Sequence, residues 1–215
     1  MGIVLNDSQN LFMLQTRSNS YAFGIDNQGL VRHLYWGSRI NAMEDFEMPE
    51  LAEVSTNDPV YEITKEEFPI YGGLRYKEHC LKVTFADGTR DVAYEYVNYE
   101  IQKNEQCEEL VIILKDKHYA LVMELHYKIY EAYDLMERFV VLKNESTEVM
   151  QIEKLHSGQF HVPYEGLNFR NVHGHWGAEQ QKFVQKVDYG KIIFENRRGI
   201  SSHNHNPYFI LDQDA

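Results

Sequence analysis

Apolar and mixed positions alternate along much of this chain, and this period of two constrains the fold more than any other sequence feature. Successive side chains of a β-strand point to opposite faces, so the stretch from Ala120 to Tyr130 predicts a strand with one buried face. No window holds an apolar stripe of 3.6-residue period over three turns, which argues against long helices. The apolar set is Met123, Leu125, Tyr127 and Ile129, and the mixed set is Val122, Glu124, His126 and Lys128.

Turn-forming residues separate the predicted strands. One predicted hairpin joins 21–25 to 30–36 through Asp26–Gly29, and a second joins 81–85 to 91–97 through 86–90. Further strands are predicted at 110–114, 120–130, 134–142 and 149–155. Short strands with polar turns are typical of a β-sandwich or barrel, so the predicted fold class is all-β and antiparallel.

Two segments do not follow the strand pattern. Residues 41–70 are acidic and predict a long loop, and residues 156–185, rich in Gly and His, predict a second irregular segment. Long irregular segments in compact domains are functional or disordered. The acidic segment is the weaker functional candidate, because such loops are usually only solvated.

Charge and composition exclude several classes of partner. The net charge of −12 disfavours nucleic acid and anionic membranes, and no apolar stretch is long enough to span a bilayer. The first residues lack the features of a signal peptide, so we expect a cytoplasmic protein. Cys80 and Cys107 are predicted to be plain thiols, because no CxxC pattern is present.

Paired histidines provide the sharpest chemical pattern. His173 and His175 form an HxH pattern followed by Glu179, as in the first metal motif of the cupins, and His203 and His205 form a second pair. The rest of the cupin pattern is missing, so the sequence predicts no metal site. No phosphate-binding loop is present, and no cofactor is predicted.

A dense polar cluster lies between residues 195 and 209. Buried polar groups are usually paired within the protein, so a structural network bracing a loop is favoured over direct ligand contact. The predicted cluster consists of Arg197, Arg198, Ser201, Ser202, His203 and Asn206.

Several motifs, in order along the chain, resemble those of the N-terminal domain of family 36 α-galactosidases. Leu34–Gly37 is similar to the family's YWG or YYG strand end, and Glu67–Gly72 to its EFPxYG. Tyr127–Asn144 is similar to YxxxExYDxxxRxxxxxN, Gly174–Gly177 to GxW, and Arg197–Pro207 to RRGxSSHxxNP.

The resemblance implies an N-terminal β-supersandwich of two large packed sheets, like that of galactose mutarotase, over residues 1–215. Such enzymes are cytosolic, often tetrameric, and remove terminal α-linked galactose from melibiose, raffinose or stachyose with retention. Their catalytic aspartates belong to a central (β/α)₈ barrel, whose KWD-type motif has no counterpart here. We therefore expect a non-catalytic domain, lacking its last strands, in a homo-oligomeric α-galactosidase.

The resemblance also implies sugar-contacting residues. In the family, an aromatic residue from GxW and an acidic residue from the loop after YWG wall the active site of a neighbouring subunit. Trp176 matches the aromatic residue, and Glu53, or alternatively Asp45, the acidic one. An indole can stack on a sugar and donate a hydrogen bond, although a Trp can equally belong to a core.

The chain also departs from the family pattern. After GxW, relatives continue with xRER, whereas Ala178, Glu179 and Gln180 follow here, which puts the substrate preference in doubt. Two alternatives stay open: a free-standing carbohydrate-binding sandwich and a cupin-like metalloprotein.

Overall fold

The computed structural model describes residues 2–44, 46–48, 64–73, 75, 77–163, 165–195 and 204–213. The sequence predicts one domain, whereas the contacts divide the chain into two compact units, Met1–His161 and Val162–Ala215. No helix in the described ranges is long and apolar enough to cross a membrane.

The described residues of the first unit form ten strands and one 3₁₀ turn, Glu131–Tyr133. Its strands are β1 (Ile3–Asn6), β2 (Leu11–Gln15), β3 (Asn19–Ile25), β4 (Val31–Ser38), β5 (Leu81–Thr84), β6 (Tyr94–Lys103), β7 (Glu108–Asp116), β8 (Leu121–Tyr130), β9 (Leu135–Asn144) and β10 (Gln151–Leu155). They form the antiparallel sheets β1-β2-β3-β4, β10-β5 and β6-β7-β8-β9.

Apolar faces of the two four-stranded sheets contribute to one core. Phe23 on β3 stacks on Tyr127 on β8 with ring centroids 4.9 Å apart, and Leu125 and Ile112 lie in the same cluster. The alternation predicted for β8 is confirmed from Met123 onward: Met123, Leu125, Tyr127 and Ile129 are buried, whereas Glu124, His126 and Lys128 are partly exposed. Val122, predicted on the mixed face, is buried. The all-β antiparallel fold class is confirmed.

The segment that follows β4 covers the opposite face of the β1–β4 sheet. Met43 is buried there, and Phe46 and Met48 pack around it against Leu11 and Met13. The described parts of 41–70 contain no regular strand, as predicted. The interpretation of segment 41–70 as merely solvated is wrong for its described parts: Met43 is buried in a small second core, and Phe68 and Ile70 are buried in the main core.

Two local predictions are wrong. The turn at Phe85–Thr89 forms, but β5 pairs with β10 rather than with β6. In the second unit, residues 167–186 are a regular hairpin, not an irregular segment. This unit contains β11 (Leu167–His175), β12 (Ala178–Lys186) and β13 (Ile210–Gln213), in the order β12-β11-β13.

Candidate functional site

Trp176 lies at the tip of the β11–β12 hairpin. Its side chain is 89% exposed, so it is not part of a core formed by this chain. Gly177 follows it with φ +80°, and the Gly177 N–H donates to Oε1 of Glu179 at 2.9 Å. The indole is thus presented to solvent on a short turn.

A close backbone approach shapes the hairpin just before this tip. A Cβ atom on Gly174 would lie 2.5 Å from the carbonyl oxygen of Ala178 and 2.8 Å from Cα of Glu179. The strand register shifts between His173 and His175, and Gln180 opposite has φ +59°. Such a bulge increases local twist and re-aims the residues beyond it, so Gly174 determines how the tip with Trp176 is presented.

Aromatic side chains pack at the base of the hairpin. Phe169 on β11 stacks on Phe194 and on Phe209, with centroids 5.1 Å apart in both cases. Phe183 on β12 meets Phe194 edge to face at 5.9 Å. These rings hold the base of the hairpin together below the exposed tip.

Only one member of the predicted polar cluster lies among the described residues. Nδ2 of Asn206 donates to the backbone carbonyl oxygen of Val172 at 2.9 Å. The backbone carbonyl oxygen of Asn206 accepts from Nδ2 of Asn171 at 3.2 Å. These bonds attach the 204–209 segment to β11. The other members, Arg197, Arg198, Ser201, Ser202 and His203, lie outside the described residues, as do the predicted acidic residues Glu53 and Asp45.

One histidine from each HxH pair, His173 and His205, lies near the other in the second unit. The rings of His173 and His205 lie 5.9 Å apart, and Glu179 bonds the tip backbone instead. Within the described ranges, no group of three or more His, Cys, Asp or Glu side chains is arranged to hold a metal ion. Both cysteines are free thiols, as predicted, and burial raises the pKa of Cys80 to about 11.

A buried polar network centres on Glu67 in the first unit. Its carboxylate accepts hydrogen bonds from the hydroxyls of Tyr21 at 2.6 Å and Tyr127 at 2.9 Å, and lies 2.9 Å from Nη1 of Arg138. Burial acts to raise the pKa of Glu67, but the Arg138 guanidinium, His33 at 3.5 Å and the Tyr21 hydroxyl together hold it below its usual value. The carboxylate is therefore ionised and fully engaged.

Neighbouring Glu66 is engaged in a separate ion network. Its side chain is fully buried and lies 3.0 Å from Nε of Arg75 and 3.3 Å from Nζ of Lys77. A glycosidase needs one carboxyl group that gives up or takes a proton and a second opposite it across the scissile bond. Glu66 and Glu67, each neutralised by cations inside the core, do not provide that arrangement.

The residues of the Glu67 network lie in the sequence motifs, but the sequence alone indicates no role for them. Glu67 begins the EFPIYG segment, and Tyr127 and Arg138 belong to the Tyr127–Asn144 motif. Tyr127 and Arg138 lie 60 and 71 residues beyond Glu67 in the sequence, respectively. Tyr127 on the apolar face of a predicted strand was the available signal, because a buried hydroxyl must find a partner. Glu67 lies in the segment predicted as a loop and gave no such signal.

Comparisons with known proteins place these features in context. A family model described as "Glycosyl hydrolase family 36 N-terminal domain" matches residues 29–215. Among the relatives, "Probable alpha-galactosidase G" of Aspergillus terreus is 26% identical over 93% of this chain and 29% of its own length.

Solved structures share the fold. The α-galactosidase AgaB from Geobacillus stearothermophilus matches with a TM-score of 0.86 and 22% identity, over 99% of this chain and 32% of that one. A variant of AgaA from the same organism, solved in complex with stachyose, matches with a TM-score of 0.84 and 22% identity, over 94% of this chain and 32% of that one. The chain thus spans about a third of the length of these proteins.

Proposed function

This chain belongs to the glycosyl hydrolase family 36 N-terminal domain family, and we propose that it serves an α-galactosidase as a non-catalytic domain that helps to wall a sugar-binding pocket. The single observation that carries the proposal is the exposed indole of Trp176 on the GxW turn. Tryptophan is enriched at contact surfaces and among the residues that contribute most to binding.

The substrate of the complete protein is proposed to be an α-galactoside of the raffinose or stachyose type. AgaA, which has the same N-terminal fold, was solved with stachyose. The net charge of −12 suits a neutral sugar better than an anionic one.

The pocket is proposed to belong to a neighbouring subunit of a homo-oligomer. The second unit supports this role, because Trp176 lies on a turn that projects from a hairpin held together at its base. Several apolar side chains of this unit are at least half exposed, and these are the surfaces that partner contacts cover. They are Val184, Ile193, Tyr208, Phe209 and Ile210.

A chimera with a catalytically complete relative tests the role of Trp176. In it, this chain replaces the matching N-terminal third of AgaB, and the chimera is compared with its Trp176→Ala variant. We expect KM for raffinose to rise about tenfold with kcat little changed, the signature of lost ground-state and transition-state binding alike. His175→Ala, one residue away and also exposed, is the matched control. Equal KM values for Trp176→Ala and His175→Ala would contradict the proposal.

A further inference from the structure

A second aromatic surface lies in the first unit, on a cavity of about 310 Å³. Its lining includes Asn19 and Tyr21 on β3, Trp36 on β4, Asp134 just before β9, Leu135 at the start of β9, and Phe160. Its volume is at the small end of the range for small-molecule sites, roughly 300–1,000 Å³. We call it the Trp36–Phe160 cavity.

The two rings form a supported but open platform. Their centroids lie 5.4 Å apart with planes inclined by 46°, and Trp36 is 38% and Phe160 46% exposed. Tyr21 meets Trp36 edge to face at 6.0 Å, and the Arg138 guanidinium lies 5.2 Å from the Phe160 ring. The inner sides of both rings are therefore fixed, while part of each stays accessible.

Hydrogen-bonding groups lie beside this platform. Nδ2 of Asn19 donates to Oγ of Ser18 at 2.8 Å, which leaves its Oδ1 available. The Asp134 carboxylate accepts from the backbone N–H of Ser18 at 2.9 Å and from the hydroxyls of Ser18 and Thr16, which leaves about one of its roughly four lone-pair sites for a ligand. Among the described residues, the indole N–H of Trp36 has no acceptor. One donor and two acceptors thus accompany an apolar surface.

We propose that the Trp36–Phe160 cavity binds one hexopyranose unit of a neutral α-galactoside, separately from Trp176. A pyranose ring presents an apolar C–H face to an aromatic ring and hydroxyls at its edge, which matches the platform and its polar neighbours. A neutral polyol also satisfies Asn19 and Asp134 without the desolvation cost of a second charge. The choice of α-galactoside rests on the proposed function.

The two tryptophans allow the site to be tested by fluorescence, because the chain has only Trp36 and Trp176. A Trp176→Phe chain retains Trp36 as its single indole, and a Trp36→Phe chain retains Trp176. With raffinose as the probe, we expect a saturable emission change, with a midpoint in the millimolar range, only in the Trp176→Phe chain. No saturable change in that chain, or an equal change in both chains, would overturn the proposal.

Further substitutions in the Trp176→Phe background separate binding from folding. We expect Phe160→Ala to weaken raffinose binding about tenfold, and Asn19→Ala, which alters an exposed side chain, to weaken it several-fold. Tyr133→Ala, 77% exposed and not a lining residue, is the matched control and should bind normally. Asn19→Ala keeps the test valid if Phe160→Ala fails to fold. Unchanged affinity in Asn19→Ala would overturn the proposal.

Failure of this proposal and failure of the proposed function give different results. The fluorescence titration depends on Trp36 and uses this chain alone, whereas the KM comparison depends on Trp176 and uses the chimera. Either experiment can fail while the other succeeds.

Discussion

Among single residues, Glu67 illustrates how a potentially reactive group becomes structural. A buried carboxylate can be a general acid when its charge is unbalanced, since burial then raises its pKa. Here burial still acts to raise the pKa, but the Arg138 guanidinium, His33 and the Tyr21 hydroxyl favour the charged form, and the pKa is lowered instead. The lowered pKa keeps the Glu67 carboxylate ionised, as suits an ion-pair partner of Arg138 rather than a general acid.

Replacing Glu67 by Gln should destabilise the first unit by about 3 kcal/mol, because Arg138 would remain buried without a counter-ion. The free energy of unfolding, followed by near-UV circular dichroism in denaturant, measures this loss. Glu105→Gln, an exposed acidic residue, is the control and should change the stability little. A loss for Glu67→Gln no greater than that of the control would show that the network does not stabilise the unit.

His161 makes the stability of the first unit depend on pH in a range above that in which Glu67 acts. Burial lowers its pKa, although its bond to the carbonyl oxygen of Glu66 at 3.0 Å acts in the opposite direction. A lowered folded-state pKa gives stability that is present above the unfolded value, about 6.5 for His, and is lost as the pH falls. Glu67 has the same sign, with its loss occurring below the unfolded pKa of Glu, about 4.3.

We therefore expect the Tm of the chain to fall between pH 7.5 and pH 5.5, and to fall less in His161→Gln. Glutamine can still donate to the Glu66 carbonyl but does not titrate. Thermal unfolding at both pH values measures the difference. His175→Gln, an exposed histidine, controls for the general effect of losing one titrating ring, and identical pH dependence in the two variants would contradict this explanation.

At the level of secondary-structure elements, sequence reasoning succeeded where local patterns decide. The alternation in β8 and the turn between β3 and β4 are encoded within a few residues. The pairing of β5 with β10 was missed, because the contact between Thr84 and Gln151 is not visible in either strand alone. The strand β12 was missed because most of its side chains are polar and leave no alternating pattern.

The candidate site follows the same rule. The GxW motif singles out Trp176 as a candidate sugar-contacting residue. Its exposed location at the tip of a hairpin is not predicted, because the sequence pattern indicates an irregular segment there. The glycine pattern around it was the available signal, since Gly174 and Gly177 flank a turn and a close strand crossing.

Gly174→Ala tests this account of the hairpin. The added methyl group would meet backbone atoms of Ala178 and Glu179, so we expect β11 and β12 to lose about 1–3 kcal/mol of local stability. Hydrogen exchange of their amides measures the loss. His175→Ala should leave exchange near the hairpin base unchanged. Equal protection in wild-type protein and Gly174→Ala would show that the close approach does not constrain the hairpin.

At the scale of the whole molecule, the family model matches residues 29–215, and the chain spans about a third of the length of its relatives. Glu66, Glu67 and Asp26 are buried and paired with cations. Asp116 is also buried and accepts backbone N–H bonds from Ala93 and His118. A retaining glycosidase requires two facing carboxyl groups about 5–5.5 Å apart across a bound sugar, and none of these four groups is free for that task.

Hydrolysis of p-nitrophenyl α-galactoside by the purified 215-residue chain therefore tests the central claim most directly. We predict no release of p-nitrophenol above the buffer rate, even at millimolar substrate, because the buried carboxylates of the described residues are engaged in ion pairs and backbone hydrogen bonds. Turnover that co-purifies with the chain and disappears on substitution of one of its own carboxylates would contradict the account.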